Sequence, residues 1–189
     1  MTKKITKILI VLILVLTAYF LLFKIIRVQD KILKSIYPMK YSEYVEKYSN
    51  ENGIDMYMIF AIIKVESNFN TNVKSGSNAI GLMQLLEETA IERSKIIYKE
   101  DIKEDDLYNP ETNIKLGTSY YAYLLDYYKQ NNILALTAYN AGIGNVDSWI
   151  KEGIIKADGT DLENIPYKET NNYVRKILRD YQIYLKLYE

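Results

Sequence analysis

Glu66 is the residue of this chain whose type and surroundings point most directly to chemistry. It shares one predicted helix face with three isoleucines that precede it at three- and four-residue spacing, Ile59, Ile62 and Ile63. Its carboxyl therefore belongs to the stripe that a helix turns inward. Burial and the negative end of the helix macrodipole both favour the protonated form of a carboxyl there. An acid that can donate a proton near neutral pH is what cleavage of a glycosidic bond requires.

The residue types that the chain lacks exclude several kinds of catalysis. It contains no histidine and no cysteine. A Ser-His-Asp triad, a Cys-His dyad, thiol redox chemistry and the usual zinc sites all depend on these side chains. No motif implies a metal or an organic cofactor, so we expect neither, and the chain cannot form a disulfide.

The charge distribution indicates a mildly acidic folded body. The chain has 24 acidic and 24 basic side chains, but five cations precede the first acid, Asp30; they are Lys3, Lys4, Lys7, Lys24 and Arg27. Setting these five aside leaves 24 acids against 19 bases. A nucleic-acid groove needs clustered lysine and arginine, so we expect no nucleic-acid partner.

A hydrophobic run near the N-terminus is long enough to span a membrane. It has no charge from Ile8 to Phe23 and continues past Lys24 to Ile26. A spanning helix needs about 20 mostly apolar residues. A cleaved signal peptide is the alternative, but it would show small residues at a cleavage site, whereas bulky residues follow Ala18. We therefore expect an uncleaved anchor.

The flanking charges predict the orientation of this anchor. Lys3, Lys4 and Lys7 favour a cytoplasmic N-terminus, because cytoplasmic flanks are enriched in basic residues. The folded domain would then lie outside the cytoplasm at the cell membrane, on a single-pass anchor. The chain is predicted to divide into a cytoplasmic N-terminus at 1–7, a transmembrane anchor at 8–26, a short stalk at 27–40 and a folded domain at 41–189.

The folded domain is predicted to be all-α, because no convincing strand alternation occurs in it. Helices are expected near 41–51, 55–67, 81–93, 111–129, 132–140, 144–152 and 168–187. The helix at 111–129 carries one apolar stripe that we assign to core packing. Gly117 lies on this stripe, where it would permit a close helix crossing.

Several short motifs occur in this domain in a fixed order. They are Glu66-Ser67-Asn68-Phe69, Ala79–Leu85, Asn113–Gly117, Ala138–Gly142 and Glu169–Val174. Together they resemble the soluble lytic transglycosylase (SLT) domain, a lysozyme-like family that cleaves peptidoglycan. The resemblance implies a lysozyme-like helical fold. Three positions depart from the family pattern: it has proline, glycine and proline where this chain has Thr71, Asn78 and Glu87. These departures affect the shape of the loops, and they remove no chemical group from the site.

The resemblance also implies roles for individual residues. Glu66 would be the single catalytic acid and base. Ser75 would hydrogen-bond near the catalytic carboxyl and the acetamido group of the substrate. Gln84, in a segment expected to open a helix, would bind N-acetyl or hydroxyl groups of the substrate, and Met83 would line the sugar cleft as an apolar wall.

Three further residues complete the implied substrate site. Tyr139 and Asn140 precede a glycine turn that can direct both side chains into a cleft. Tyr139 would stack on a sugar ring or hydrogen-bond Glu66, while Asn140 offers donors and an acceptor for amide recognition. Tyr173 resembles a cleft tyrosine that precedes the last helix of the family.

The family reaction cleaves the bond between N-acetylmuramic acid and N-acetylglucosamine and leaves a 1,6-anhydro end. The expected partners are therefore peptidoglycan glycan strands and the membrane, and the sequence leaves protein partners unidentified. A muramidase-type hydrolase remains the alternative, with Asp55, Glu87, Glu88, Asp126 and Asp147 as possible second carboxylates. A glycan-binding scaffold without activity and a helical adaptor are the non-enzymatic alternatives.

Overall fold

The N-terminal 38 residues form a unit of their own. The computed structural model describes residues 2–97, 99 and 102–189, and it divides the chain into the units Met1–Pro38 and Met39–Glu189. The first unit is essentially one helix, α1, at Thr2–Ile36. Its stretch Lys7–Ile36 is long and apolar enough to cross a membrane. Large apolar side chains such as Leu14 and Phe20 are exposed along it.

Helix α1 is longer than the anchor that the sequence predicts. The predicted span at 8–26 lies within it, and the helix continues through most of the predicted stalk before it ends at Ile36. Pro38 follows two residues later, where its ring disfavours helical geometry in the residue before it. The segment predicted as a stalk is therefore helical up to Ile36.

The described residues of the second unit form seven α-helices. They are α2 at Ser42–Asn52, α3 at Met56–Ser67, α4 at Glu87–Ile97, α5 at Pro110–Tyr127, α6 at Asn132–Ala141, α7 at Ile143–Lys151 and α8 at Lys168–Tyr188, with short 3-10 helices at Glu104–Tyr108 and Leu162–Asn164. The described residues contain isolated bridges but no strand. The all-α prediction is confirmed.

Helix α3 lies at the centre of this unit. Its residues Met58–Ile63 are all buried, which is the pattern of a helix covered on every side. It packs against α2 and α8, and the rings of Phe60 and Tyr184 stack across the α3–α8 contact at 5.6 Å. Asp55 caps its first turn by accepting from the Tyr57 backbone N–H at 2.8 Å. The end of α3 is thus held in the core, and Glu66 lies in its last turn.

The helix predicted at 81–93 was placed too early. Helix α4 begins only at Glu87, because residues 80–85 form a tight turn. Ile80 and Leu85 close this turn with two backbone hydrogen bonds of 2.9 and 3.0 Å. Gly81 and Gln84 adopt φ values of 77° and 47°, which a helix cannot contain. We refer to residues 80–85 as the Gln84 turn.

Candidate active site

Glu66 is held at a sharply ended helix terminus. Asn68 and Phe69, which follow α3, both have left-handed backbone conformations, with φ of 49° and 64°. For a bulky residue such as Phe69 this conformation is strained, and it persists because the ring is buried beside Phe60 at 6.3 Å. Ser67 donates from Oγ to the Leu82 carbonyl at 2.8 Å, which joins the end of α3 to the Gln84 turn.

The electrostatic surroundings of Glu66 combine opposing influences. Burial raises the pKa of the carboxyl to about 7, because the charged form loses hydration. A hydrogen bond from the Tyr173 hydroxyl to Oε1 at 2.6 Å and the positive charge of Lys176 lower the pKa against this rise. Glu66 is thus able to hold a proton near neutral pH and also to exist as a stabilised carboxylate.

Glu66 lines a cleft of about 480 Å³ together with four of the other predicted residues, Ser75, Gln84, Tyr139 and Asn140. These side chains come from the end of α3, the loop that follows it, the Gln84 turn and the end of α6. Seven further residues complete the lining: Ser77, Ala79, Leu86, Ala141, Tyr167, Glu169 and Thr170. The cleft is therefore lined by hydroxyls, carboxamides, carboxylates and aromatic rings.

Ser75 and Gln84 both stabilise the loops that carry them. Ser75 Oγ accepts from the backbone N–H groups of Ser77 and Ala79 at 3.2 and 3.0 Å. Gln84 donates from Nε2 to the carbonyls of Val73 and Gly81 at 3.1 and 2.9 Å. The carboxamide of Gln84 consequently has a fixed direction.

Tyr139 and Asn140 extend from the last turn of α6. The sequence analysis offered a hydrogen bond from Tyr139 to Glu66 as one of two possible contacts. In the structure, the Tyr139 hydroxyl donates to the Met83 carbonyl at 2.7 Å instead. Burial raises the pKa of this phenol well above its ordinary value, so it remains a neutral donor. Asn140 accepts through Oδ1 from the Thr170 hydroxyl at 2.7 Å, which links α6 to α8.

Comparison with known proteins places this architecture in a family. The profile described as "Transglycosylase SLT domain" matches residues 43–160, which is more than half of the chain. The chain belongs to the transglycosylase SLT domain family. The family resemblance inferred from the motifs is thereby confirmed.

Named relatives and solved structures agree with this assignment. The SLT chain is 36% identical over 148 residues to the soluble lytic murein transglycosylase of Salmonella typhimurium, covering 77% of this chain and 23% of that protein. It is 37% identical over 124 residues to the membrane-bound lytic murein transglycosylase C of Serratia proteamaculans, covering 57% of this chain and 32% of that protein. An X-ray structure of an inactive Glu-to-Gln mutant of the lytic transglycosylase Slt from Pseudomonas aeruginosa superimposes with a TM-score of 0.75 and 33% identity, covering 82% of this chain and 25% of that one. The chain spans about a quarter to a third of the length of these proteins.

Met83 of this SLT domain does not form a wall of the cleft, which corrects the sequence expectation. Its side chain is fully buried, and it lies so close to Gly117 that a Cβ added there would meet Met83 Sδ at 2.5 Å. Its backbone N–H donates to Asn113 Oδ1 at 2.8 Å. The tight turn directs Met83 towards α5, whereas Gln84, the next residue, lines the cleft. The close approach that Gly117 permits is therefore to this turn.

Tyr173 acts beside the cleft rather than in its lining. It is 8% exposed and is not among the residues that line the cleft, and its hydroxyl donates to Glu66 Oε1 at 2.6 Å. Burial and the neighbouring carboxyl raise the pKa of Tyr173 well above its ordinary value, so the phenol stays protonated as a donor. The geometry assigns it to orientation of the carboxyl.

Sequence reasoning missed several residues of the cleft. Glu169 and Thr170 lie in a motif that the sequence singled out, but no local pattern indicates that they face Glu66. Tyr167 is one of 19 tyrosines, and its ring packs edge-on against Trp149 at 4.9 Å. Leu86 is 46% exposed, which no sequence pattern indicated. The packing of α8 against α3 and α6 brings Glu169 and Thr170 to the cleft.

The acids considered earlier as second carboxylates are absent from this cleft lining. Asp55 caps α3 and accepts from the Tyr181 hydroxyl at 2.6 Å, and Asp147 accepts from Tyr127 at 2.6 Å. Glu87 and Glu88 line a neighbouring cavity of about 410 Å³. Within the described residues, no group of three or more acidic side chains is arranged to hold a metal ion. Glu169 is the second carboxylate that shares the lining with Glu66.

Proposed function

We propose that this chain is a lytic transglycosylase that cleaves peptidoglycan, with Glu66 as its catalytic acid and base. The observation that carries the proposal is a carboxyl with a pKa of about 7 in a cleft lined by carboxamides and hydroxyls. Membership of the SLT family supports the same reaction. The inactive Glu-to-Gln mutant of Slt supports a mechanism in that relative that depends on one glutamate.

The reaction begins with protonated Glu66. The acid donates its proton to the glycosidic oxygen between N-acetylmuramic acid and N-acetylglucosamine, and the bond from C1 to that oxygen breaks. The acetamido oxygen of the substrate assists at C1. The Glu66 carboxylate then takes the proton of the C6 hydroxyl, and the C6 oxygen bonds to C1 while the acetamido oxygen leaves C1. The products are an N-acetylglucosamine hydroxyl and a 1,6-anhydromuramoyl end, so no water is consumed.

The surroundings of Glu66 suit both halves of this cycle. A pKa of about 7 leaves roughly half of the carboxyl protonated at pH 7. After the proton leaves, the Tyr173 hydroxyl and the Lys176 charge stabilise the carboxylate that must next act as base. The C6 hydroxyl attacks within the same molecule at high effective molarity, so a second carboxylate is not required.

A muramidase-type hydrolase is the second candidate function, and Glu169 is the observation that favours it. This carboxylate lines the same cleft as Glu66, and hydrolases use a second carboxylate as nucleophile or base. In the lytic transglycosylase proposal, Glu169 takes no chemical part. Its position in the first turn of α8 has a separate structural reason, because the positive end of the helix dipole stabilises an acid there.

Product analysis of three proteins separates these functions. The full chain in detergent is incubated with purified peptidoglycan as wild type, Glu66→Gln and Glu169→Gln, and the released muropeptides are identified by mass spectrometry. We expect 1,6-anhydro ends, one water lighter than reducing ends, from the wild type and from Glu169→Gln, and no release from Glu66→Gln. Reducing ends from the wild type that disappear in Glu169→Gln would establish the hydrolase instead.

A scaffold without activity gives a third pattern. It would bind peptidoglycan and release nothing from any of the three proteins. Co-sedimentation with insoluble peptidoglycan measures this binding separately. If the chain is an enzyme, Glu66→Gln should retain binding while it loses release.

We also propose that α1 anchors the domain to the cell membrane in a single pass, with residues 1–7 in the cytoplasm and the SLT domain outside. Membrane association is supported by the apolar stretch Lys7–Ile36 and by similarity to the membrane-bound lytic murein transglycosylase C. The orientation rests on Lys3, Lys4 and Lys7 before the hydrophobic run. An anchored enzyme would act on glycan strands near its own membrane.

A further inference from the structure

The cleft contains two carboxamide side chains, Gln84 and Asn140, and each is held by a different end of its amide group. A primary carboxamide offers two N–H donors and one carbonyl acceptor. When protein groups occupy one end, the other end is left for a ligand. The direction in which each amide is held therefore decides which ligand group it can bind.

Gln84 is held through its nitrogen. Nε2 donates to the carbonyls of Val73 and Gly81 at 3.1 and 2.9 Å, which uses both of its N–H groups. The backbone of Gln84 is left-handed, with φ of 47°, and its N–H also donates to the Gly81 carbonyl at 3.2 Å. Gln84 consequently offers its side-chain oxygen, an acceptor, to the cleft.

Asn140 is held the opposite way. Its Oδ1 accepts from the Thr170 hydroxyl at 2.7 Å, and Thr170 is only 2% exposed. Among the described hydrogen bonds, this is the one that uses the proton of the Thr170 hydroxyl. A reversed amide would leave that buried proton without an acceptor, which favours one direction of the amide. Asn140 itself is exposed, and it offers its nitrogen, a donor, to the cleft.

We propose that Thr170 is a positioning residue that selects for acetamido groups by fixing the direction of the Asn140 carboxamide. The cleft then presents an acceptor at Gln84 and a donor at Asn140. A secondary amide carries the complementary pair, an N–H donor and a C=O acceptor, whereas a free amine carries only donors and a charge. The inference rests on the proposed function, because it assumes that the cleft holds an N-acetylated glycan.

Thr170 allows a closely matched test. Thr170→Val keeps the shape of the side chain and removes the hydroxyl, which frees the Asn140 amide to rotate. Thr170→Ser keeps the hydroxyl and removes a methyl group. Both variants, and the parent, are made in the full chain, and circular dichroism melting in detergent verifies that each is folded at the assay temperature.

Binding is measured in the Glu66→Gln background, so that no bond is cleaved. The probes are the tetramer of N-acetylglucosamine and the matching tetramer of glucosamine, titrated by isothermal calorimetry. We expect Thr170→Val to weaken binding of the acetylated tetramer by about five- to tenfold, the equivalent of one hydrogen bond, and to leave the deacetylated tetramer unchanged. Thr170→Ser should remain within about twofold of the parent.

Kinetic measurements on proteins that retain Glu66 give an independent readout. With peptidoglycan as substrate, Thr170→Val should raise KM and leave kcat unchanged, because Thr170 acts on binding through Asn140. In an Asn140→Ala background, Thr170→Val should have no further effect on KM. A merely structural role would lower kcat and would persist after Asn140 is removed.

Two results overturn the inference. One is an equal loss of affinity for both tetramers in Thr170→Val. The other is a parent that binds the acetylated tetramer no better than the deacetylated one. Neither result decides the proposed function, which depends on the products released by the wild type.

Discussion

Glu66 is placed where burial and polar contacts nearly balance. Burial alone would keep the carboxyl neutral, while Tyr173 and Lys176 favour its charged form. These influences together leave the pKa of Glu66 at about 7. At neutral pH the carboxyl is therefore neither always protonated nor always charged, so it can act as acid and as base.

Glu66→Gln should change the pH dependence of stability. The pKa of Glu66 rises from an ordinary value of 4.5 to about 7 on folding, so the folded chain binds more protons between these values. The stability that this carboxyl contributes is present below pH 4.5 and is lost as the pH rises through 7. Relative to wild type, Glu66→Gln should therefore gain up to about 3 kcal/mol of unfolding free energy between pH 4.5 and pH 8.

Urea unfolding in detergent, followed by circular dichroism at pH 5 and pH 8, measures this difference. The sign is the decisive quantity, since a glutamine does not titrate. A difference between the two proteins that is the same at both pH values would show that Glu66 does not carry a raised pKa.

Lys176→Met should move the alkaline limb of the pH–activity profile upward. The acid must be protonated to start the reaction, so kcat/KM should fall tenfold per pH unit above the pKa of Glu66. Lys176 lowers that pKa by its charge, and its removal should shift the limb to higher pH by about 0.2–0.5 units. The shift should shrink in high salt, because Lys176 is exposed to solvent.

Lys186→Met provides the matched control for this measurement. Lys186 is an exposed lysine in the last turn of α8, so its replacement removes the same charge from the same helix. The Lys186→Met profile should superimpose on that of wild type. Equal shifts in both variants would mean that the net charge of the protein, rather than the proximity of Lys176, determines the pH at which activity falls.

Helix α5 supports the Gln84 turn without lining the cleft. Asn113 is fully buried and makes three hydrogen bonds there: it accepts from Met83 N and donates to the carbonyls of Ile80 and Leu107, at 2.8, 2.9 and 2.8 Å. One turn along the helix, Gly117 leaves room for the Met83 side chain. The apolar stripe predicted on this helix therefore packs the core, and its polar and small residues hold the turn.

Gly117→Ala should destabilise the domain by about 1–3 kcal/mol through overpacking. An added Cβ would lie 2.5 Å from Met83 Sδ and 2.9 Å from Met83 Cβ, and the second atom cannot move without the backbone of the turn. Urea unfolding measures the loss. Activity should fall as well, because the displaced turn carries Gln84.

Gly144→Ala is the control, since Gly144 lies in α7 and a Cβ added there meets no atom within 4 Å. The same substitution should be neutral or stabilise by up to about 1 kcal/mol, owing to the higher helix propensity of alanine. If both variants lose the same stability, the contact with Met83 is not the cause.

The proposed membrane orientation of the full chain can be tested by chemical labelling. The chain contains no cysteine, so single cysteines introduced at Lys3 or Lys151 can report which side of the membrane each position occupies. On intact cells, a membrane-impermeant maleimide should label Lys151→Cys and not Lys3→Cys until the cells are opened. The reverse pattern would overturn the proposed orientation.

Removal of residues 1–38 tests the anchor itself. The full chain should require detergent for extraction from membranes, because the apolar side chains of α1 are exposed. The truncated chain should be recovered without detergent. Recovery of the full chain in the soluble fraction would contradict a transmembrane α1.

Much of this protein was predictable from local patterns in the sequence. Hydrophobic periodicity predicted helices close to the observed α2, α3 and α5–α8, because helix formation depends on residues three and four positions apart. The same periodicity placed Glu66 on an inward face, and five ordered motifs identified the family. The turn at residues 80–85 was missed because its left-handed backbone at Gln84, a non-glycine residue, has no clear local signal.

The tertiary structure decided which side chains meet. Tyr173 reaches Glu66 across 107 positions of the chain, and it does so only because α8 packs against α3. Packing against α5 directs Met83 into the core while Gln84 lines the cleft. The contact of α6 with α8 brings Thr170 to Asn140 and sets the direction of its amide. The family, most of the helices and the candidate acid follow from residue types and short spacings in the sequence, whereas the surroundings of that acid depend on contacts between distant segments.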